Sequence, residues 1–168
     1  MMAGTKMGTR AYRLALELYR RLPDPVGEWV TRWLTPSYAV GTSPFVSRAD
    51  GRVLLVRHSY KDGWSTPGGF VDRKERAEDG AVREVWEETG LRVVLVGEPA
   101  VVVDHVVRHV EFVIRARPLD EADADLVRPT SPEIVEARWF DLDDLPLLHD
   151  HAARALAALV RAERWRDH

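Results

Sequence analysis

Glu84, Glu87 and Glu88 stand at i, i+3 and i+4, a spacing that puts three carboxylates on adjoining positions of one face if the segment is helical. Like charges so placed repel by roughly 0.2–0.5 kcal/mol per pair. A site for divalent cations is a physical reason to gather them, because hard cations such as Mg2+ take oxygen ligands, keep several waters and join carboxylates to phosphates. The plain alternative is a solvated acidic helix face on which Arg83 is an incidental neighbour.

The elements that must hold these residues can be read around them. Asp79 or a nearby residue can begin the helix, Ala81, Val82 and Val85 supply its apolar face, and Gly90 can end it. Gly80 should weaken it by about 1 kcal/mol relative to alanine unless close backbone packing requires a glycine. Upstream, Pro44–Ser47 and Val53–Val56 flank the turn Ala49-Asp50-Gly51, which predicts a β-hairpin. Leu91–Val96, Val101–Val107, Val110–Ala116 and Ile134–Phe140 read as further strands, with Glu111, Val113 and Arg115 on one face of theirs.

Between Ala116 and Glu133 lie three prolines and four acidic residues, a composition that predicts an exposed loop. After Leu145-Pro146, the run Ala152, Ala153, Leu156, Ala157, Leu159, Val160 and Trp165 predicts a last helix. The His149-Asp150-His151 cluster is read as the start of that helix, with Asp150 near its N-cap, in preference to a metal site. Asp141-Leu142-Asp143-Asp144 lacks the glycine and the twelfth-position glutamate of a calcium loop and is read as capping.

At the N-terminal end, Met7, Ala11, Leu14, Ala15, Leu18 and Leu22 recur at helical spacing. Val26, Trp29, Val30, Trp33 and Leu34 form a second stripe before Pro36. The expected organisation is therefore a helical extension over residues 1–36 and one catalytic domain over 37–168, since 168 residues suit a single sizeable core. The extension's stripes suit packing on its own domain or on a second subunit in a homodimer better than a membrane surface.

With 45% hydrophobic and 30% charged residues the chain has the composition of a folded domain. A formal net charge of −3 offers no global field for a nucleic-acid backbone or an anionic membrane, so neither partner is expected and phosphate recognition must be local. The absence of cysteine excludes disulfides and thiolate chemistry. No secretory h-region and no run of about 18 apolar residues is found, which leaves a cytoplasmic location as the expectation.

The spacing settles the weight given to the acidic face. From Gly69 the chain runs five residues, Glu75, seven residues, Arg83-Glu84, Val85, one residue, Glu87-Glu88, one residue, Gly90-Leu91. This resembles the Nudix box at every position its pattern specifies, and Trp64-Ser65-Thr66-Pro67-Gly68-Gly69 resembles the family's approach to the box. Lys74 stands where many members have glycine, and Gly80 where alanine is frequent.

The resemblance implies an α/β/α sandwich around a mixed β-sheet and a hydrolase of a nucleoside diphosphate linked to another moiety, with a small-molecule nucleotide as substrate. It implies Mg2+, with Mn2+ able to substitute, on Glu84, Glu87 and Glu88, with the Gly69 carbonyl and Glu75 completing the metal set. Arg83 would orient carboxylates through its planar guanidinium. The reaction would be water attack at phosphorus, with Glu87 or Glu133 as the general base and Glu136 as the nearest competitor.

Arg57, at the end of its strand, stands where related enzymes contact substrate; Trp64 and Phe70 flank the glycines and could stack on a base, with Tyr60 and Lys61 as an edge. Some ADP-ribose enzymes carry a proline, and a dinucleoside-polyphosphate group a tyrosine, where this chain has Val106 and Val107. Two other classes compete with the hydrolase: a non-catalytic nucleotide sensor or interaction module, and a calcium or structural-metal protein using the same carboxylates.

Overall fold

The computed structural model describes Glu17, Thr35 and residues 37–166; the two expected N-terminal helices lie outside the described residues. Six strands follow: β1 (Ala39–Val46), β2 (Val53–His58), β3 (Gly69–Phe70), β4 (Val93–Asp104), β5 (His109–Pro118) and β6 (Ile134–Phe140). Two α-helices accompany them, α1 (Ala77–Thr89) after β3 and α2 (Asp150–Arg166) after β6. Among the described residues no helix is long and apolar enough to cross a membrane.

The main sheet has the order β3-β1-β5-β4, with β1 and β5 parallel and the other pairs antiparallel; β2 and β6 form a second, antiparallel pair. Strand alternation places successive side chains on opposite faces. Val46 and Ala116 join Val85 and Val82 of α1 in one core, whereas Phe45 and Val113, of opposite parity, pack with Ala155 and Leu159 of α2. The sheet is thus covered on both faces, as the α/β/α expectation requires.

The expected hairpin between β1 and β2 is not built. Its turn closes through Arg48 N–H to the Arg52 carbonyl and one Ser47–Val53 bridge, after which the two strands part into different sheets. The two strands expected across residues 91–107 are instead one, β4, whose register shifts between Val96 and Ala100; Gly97 takes φ 70° at this bulge, a conformation that suits glycine.

The segment before Glu133 is more than an exposed loop. It contains a 3-10 turn, Glu121–Leu126, with Ala124 buried and its carbonyl accepting from Trp139 Nε1 at 2.8 Å. It then caps α1, because Arg128 and Thr130 donate backbone N–H groups to the Thr89 and Glu88 carbonyls, and Thr130 Oγ1 donates to that of Glu87 at 2.8 Å. Gly90, left-handed at φ 70°, completes the C-terminus as expected.

Helix α1 begins at Ala77 after Arg76, with Glu78 and Asp79 in its first turn, where negative charge favours the helix dipole. At Gly80 a Cβ would lie 3.1 Å from Glu75 Oε2, a tight contact that the carboxylate would have to yield to by a few tenths of an ångström. Lys74 adopts φ 72°, the left-handed region that a side chain disfavours by about 1–2 kcal/mol. After subtracting glycine's extra unfolded-state entropy, Lys74→Gly should raise stability by about 0.5–1 kcal/mol. Thermal melting should show a rise of about 1–4 °C, and an unchanged or lower midpoint would contradict the strain.

Candidate active site

The two glycines before α1 are fixed by close approaches. Gly68 takes φ 144°, and a Cβ on it would collide with the Thr42 carbonyl oxygen of β1. A Cβ on Gly69 would lie 2.5 Å from Glu84 Oε1, so any side chain there would displace the Glu84 carboxylate from its present place beside β3. Gly68 N–H donates to Glu88 Oε2 at 3.1 Å, and His58 Nε2 on β2 lies 3.5 Å from the other oxygen of that buried carboxylate.

Arg83 organises the remaining carboxylates. Its Nε and Nη2 donate to the two oxygens of Glu75 at 2.8 and 2.9 Å, a bidentate pair. Its Nη1 donates to Glu84 at 2.8 Å and Glu87 at 2.9 Å, and Nη2 also reaches the Phe70 carbonyl at 3.1 Å. Arg83 and the Asp72 backbone N–H hold the Glu75 carboxyl down at about 2. Burial pushes Glu84 the other way, above its usual range, against the pull of Arg83.

Glu133 immediately precedes β6 and accepts from the Tyr60 hydroxyl at 2.9 Å. Burial first, and then that hydrogen bond, push the Tyr60 hydroxyl up to about 12, with Glu88 and Glu84 adding to the negative field around it. The Tyr60 ring stands edge-on to His58, with centroids 5.4 Å apart. Arg57 is instead paired across the strands with Glu136, donating from Nε and Nη2 at 3.1 and 3.0 Å. Glu136 is shared with Arg138 as well.

Trp64 packs edge-on against Phe140, with ring centroids 4.7 Å apart, whereas Phe70 is 66% exposed and stands edge-on to His109. Phe70, Gly68 and Gly69 line a cavity of about 730 Å³ that runs from His58 to α2. That size suits a nucleotide-sized ligand. Two of its lining residues, Thr42 and His58, each carry a buried polar atom, Oγ1 and Nδ1, without a hydrogen-bond partner.

The sequence reading did not single out His58, Thr42, His109 or Ser43, and it used Glu111 only to orient a strand. Register Ala39↔His109 and Gly41↔Glu111 sets the latter two beside the small residues of β1, on the face covered by α2. There Glu111, 5% exposed, accepts from Ser43 Oγ at 2.5 Å and is met by His109 and by His151 of α2. Burial raises the Glu111 carboxyl, but His151, Ser43 and His109 together hold it below its usual value. The i, i+2 spacing of His109 and Glu111 was the available signal.

The profile of the NUDIX domain matches residues 37–160. The chain belongs to the NUDIX family. A MutT-like protein of Streptomyces ambofaciens is 35% identical over 127 residues, 74% of this chain and 79% of that protein. An NAD-capped RNA hydrolase NudC of Klebsiella pneumoniae is 34% identical over 60% of this chain and 38% of its own length. The crystal structure of an ADP-ribose pyrophosphatase from Streptococcus suis aligns at TM-score 0.61 and 30% identity, covering 76% of this chain and 93% of that one. The protein is a NUDIX hydrolase, and residues Gly69–Leu91 are its NUDIX box.

Within that NUDIX box the displaced carboxyls have opposite signs of pH dependence. Glu75 falls from an ordinary 4.5 to about 2, so its contribution is present above 4.5 and lost as pH falls towards 2. Glu84 is raised, so its contribution is present below 4.5 and lost as pH rises through its folded value. In denaturant titrations Glu75→Gln should be less stable than wild type at neutral pH, and the gap should close as pH falls from 4.5 towards 2. A gap independent of pH would show that the ionised Arg83 pair is not its source.

Proposed function

We propose that the protein hydrolyses the diphosphate linkage of a free nucleoside diphosphate derivative, such as a nucleoside triphosphate or nucleotide sugar, by water attack at phosphorus. The observation that carries this reading is the joining of two parts. Gly68 and Gly69 lie against Glu84 and Glu88 on one side and line the nucleotide-sized cavity on the other. A net charge of −3 favours a small nucleotide over a nucleic-acid chain, and a cytoplasmic location belongs to the same proposal.

The donor set fits a divalent cation: oxygen ligands only, from Glu84, Glu87 and Glu88 with the Gly69 carbonyl, and a glycine where a Cβ would occupy the space beside Glu84. Mg2+ is the proposed ion, with Mn2+ as a substitute. When bound, such an ion neutralises phosphate charge and lowers the pKa of an attacking water. Glu75 is better placed to fix Arg83 than to ligate, since both its oxygens are engaged by that guanidinium.

Glu87 and Glu133 remain the two carboxylates for proton removal. Glu133 is favoured as the base because Glu87 is already tied to Arg83 among the ligands, while Glu133 stands outside that set and accepts from the Tyr60 hydroxyl. Phe70 is the proposed base-stacking residue, given its exposure on the cavity. Trp64 supports the loop from behind, and Arg57 positions Glu136 on the β6 side unless substrate draws it away.

Phosphate-coupled turnover across nucleoside triphosphates, nucleotide sugars, ADP-ribose, dinucleoside polyphosphates and NAD-capped RNA tests the reading, with Mg2+ or EDTA. One small-nucleotide class should turn over with metal only. Glu133→Gln should lower kcat by about 10²–10⁴ and remove the acid limb of its pH profile without changing the Mg2+ requirement. Glu87→Gln should lower activity and raise the Mg2+ needed. Binding without turnover would favour the sensor module, and turnover of capped RNA alone would overturn the free-nucleotide reading.

A further inference from the structure

On the face of the sheet opposite α1, two imidazoles from separate elements converge on a single carboxylate oxygen. His109 Nε2 of β5 and His151 Nε2 of α2 both meet Glu111 Oε2, the latter at 3.2 Å, and the three ligand atoms lie within 4.8 Å of one another. Hydrogen bonding alone would gain more by spreading two donors over two oxygens. Here the second oxygen, Oε1, is engaged by Ser43 Oγ at 2.5 Å.

We propose that His109, Glu111 and His151 form a second metal site, selective for a first-row transition ion such as Zn2+ and separate from the box carboxylates. Two imidazole nitrogens and one carboxylate oxygen are the donor set of three-ligand zinc sites that keep a position open. All three residues line the cavity, so the open position faces the ligand space and can take a water or a lone-pair-bearing group of the bound molecule. The hard-oxygen set on α1 prefers Mg2+, so the two sites differ in ion as well as in place.

The surroundings are those of a supported ligand set. Ser43 fixes the carboxylate from behind, the outer-shell contact that orients metal ligands. Gly41 leaves the room: a Cβ there would lie 2.6 Å from Glu111 Oε2 and 2.8 Å from the His109 ring. Phe70 stands edge-on to His109, with centroids 5.8 Å apart, and gives the ring an apolar wall. His151 is 48% exposed by side chain on the first turn of α2, so it can be replaced with little threat to folding.

The test needs no substrate and stands apart from the hydrolase reading. Metal-free full-length protein in excess Mg2+ is titrated with Co2+ as a spectroscopic stand-in for Zn2+, with circular dichroism confirming the fold of each variant. The expected result is a visible d–d band saturating at one equivalent and bleached by Zn2+. His151→Ala and His109→Gln should each weaken Co2+ binding by at least about tenfold, and Glu87→Gln should leave it as in wild type. Absence of the band overturns the site. So does a band that survives in the folded His151→Ala protein, which would place the ion on other ligands.

Discussion

The site depends on keeping four carboxylates, Glu75, Glu84, Glu87 and Glu88, within one small volume. Arg83 makes this possible, with five hydrogen bonds that reach three of the glutamates and the Phe70 carbonyl. A lysine could neutralise one neighbour as a point charge, but only the planar fork engages Glu75 along one edge and Glu84 and Glu87 from another nitrogen. Glu84 is disfavoured as an anion chiefly by its burial, with Glu88 and Glu87 adding to the effect and Arg83 opposing it.

The partners of Arg83 come from local backbone that is itself constrained. Lys74, held left-handed, turns the chain so that Glu75 can accept from the Asp72 N–H and face the helix; Gly80 gives that carboxylate room against α1. At the other end of α1, Thr130 and Arg128 take up the last carbonyls, and Val127 packs on the core beside Val85 and Leu91. The long segment before β6 is thus an anchor for the glutamate-bearing turn. It also leads directly into Glu133, so one segment caps the acidic helix and supplies the carboxylate beside Tyr60.

What could be read from the sequence was what is local. Periodicity and Gly90 gave α1 its apolar face and its end, and the spacing from Gly69 to Leu91 identified the family before any coordinates. The β1–β2 hairpin failed because its turn signal describes four residues, whereas the partners of β1 are chosen by remote β5 and β3. Arg57 was read as a substrate contact at a strand end, and its pairing with Glu136 was missed because a cross-strand partner is set by register, which no local pattern reveals. The histidine cluster was read as a helix start in preference to a metal site; α2 does begin at Asp150, but His151 finds its partner on β5 rather than beside it.

Strand β1 is the wall on which both halves of the site are built, and its residues separate by parity. Gly41 and Ser43 face α2, where one makes space for Glu111 and His109 and the other hydrogen-bonds the carboxylate. The even positions Thr42, Pro44 and Val46 point towards the α1 side, and in the plane of the sheet the Thr42 carbonyl excludes any side chain at Gly68 beside β3. A one-residue slip of β1 would exchange the two sets. It would bring a threonine against Glu111 and send Ser43 into the core beneath the box. The apolar demand of Val46 on the α1 side and Phe45 on the α2 side therefore sets more than the core: it fixes the register that brings the glycine loop, the acidic helix and the cavity together.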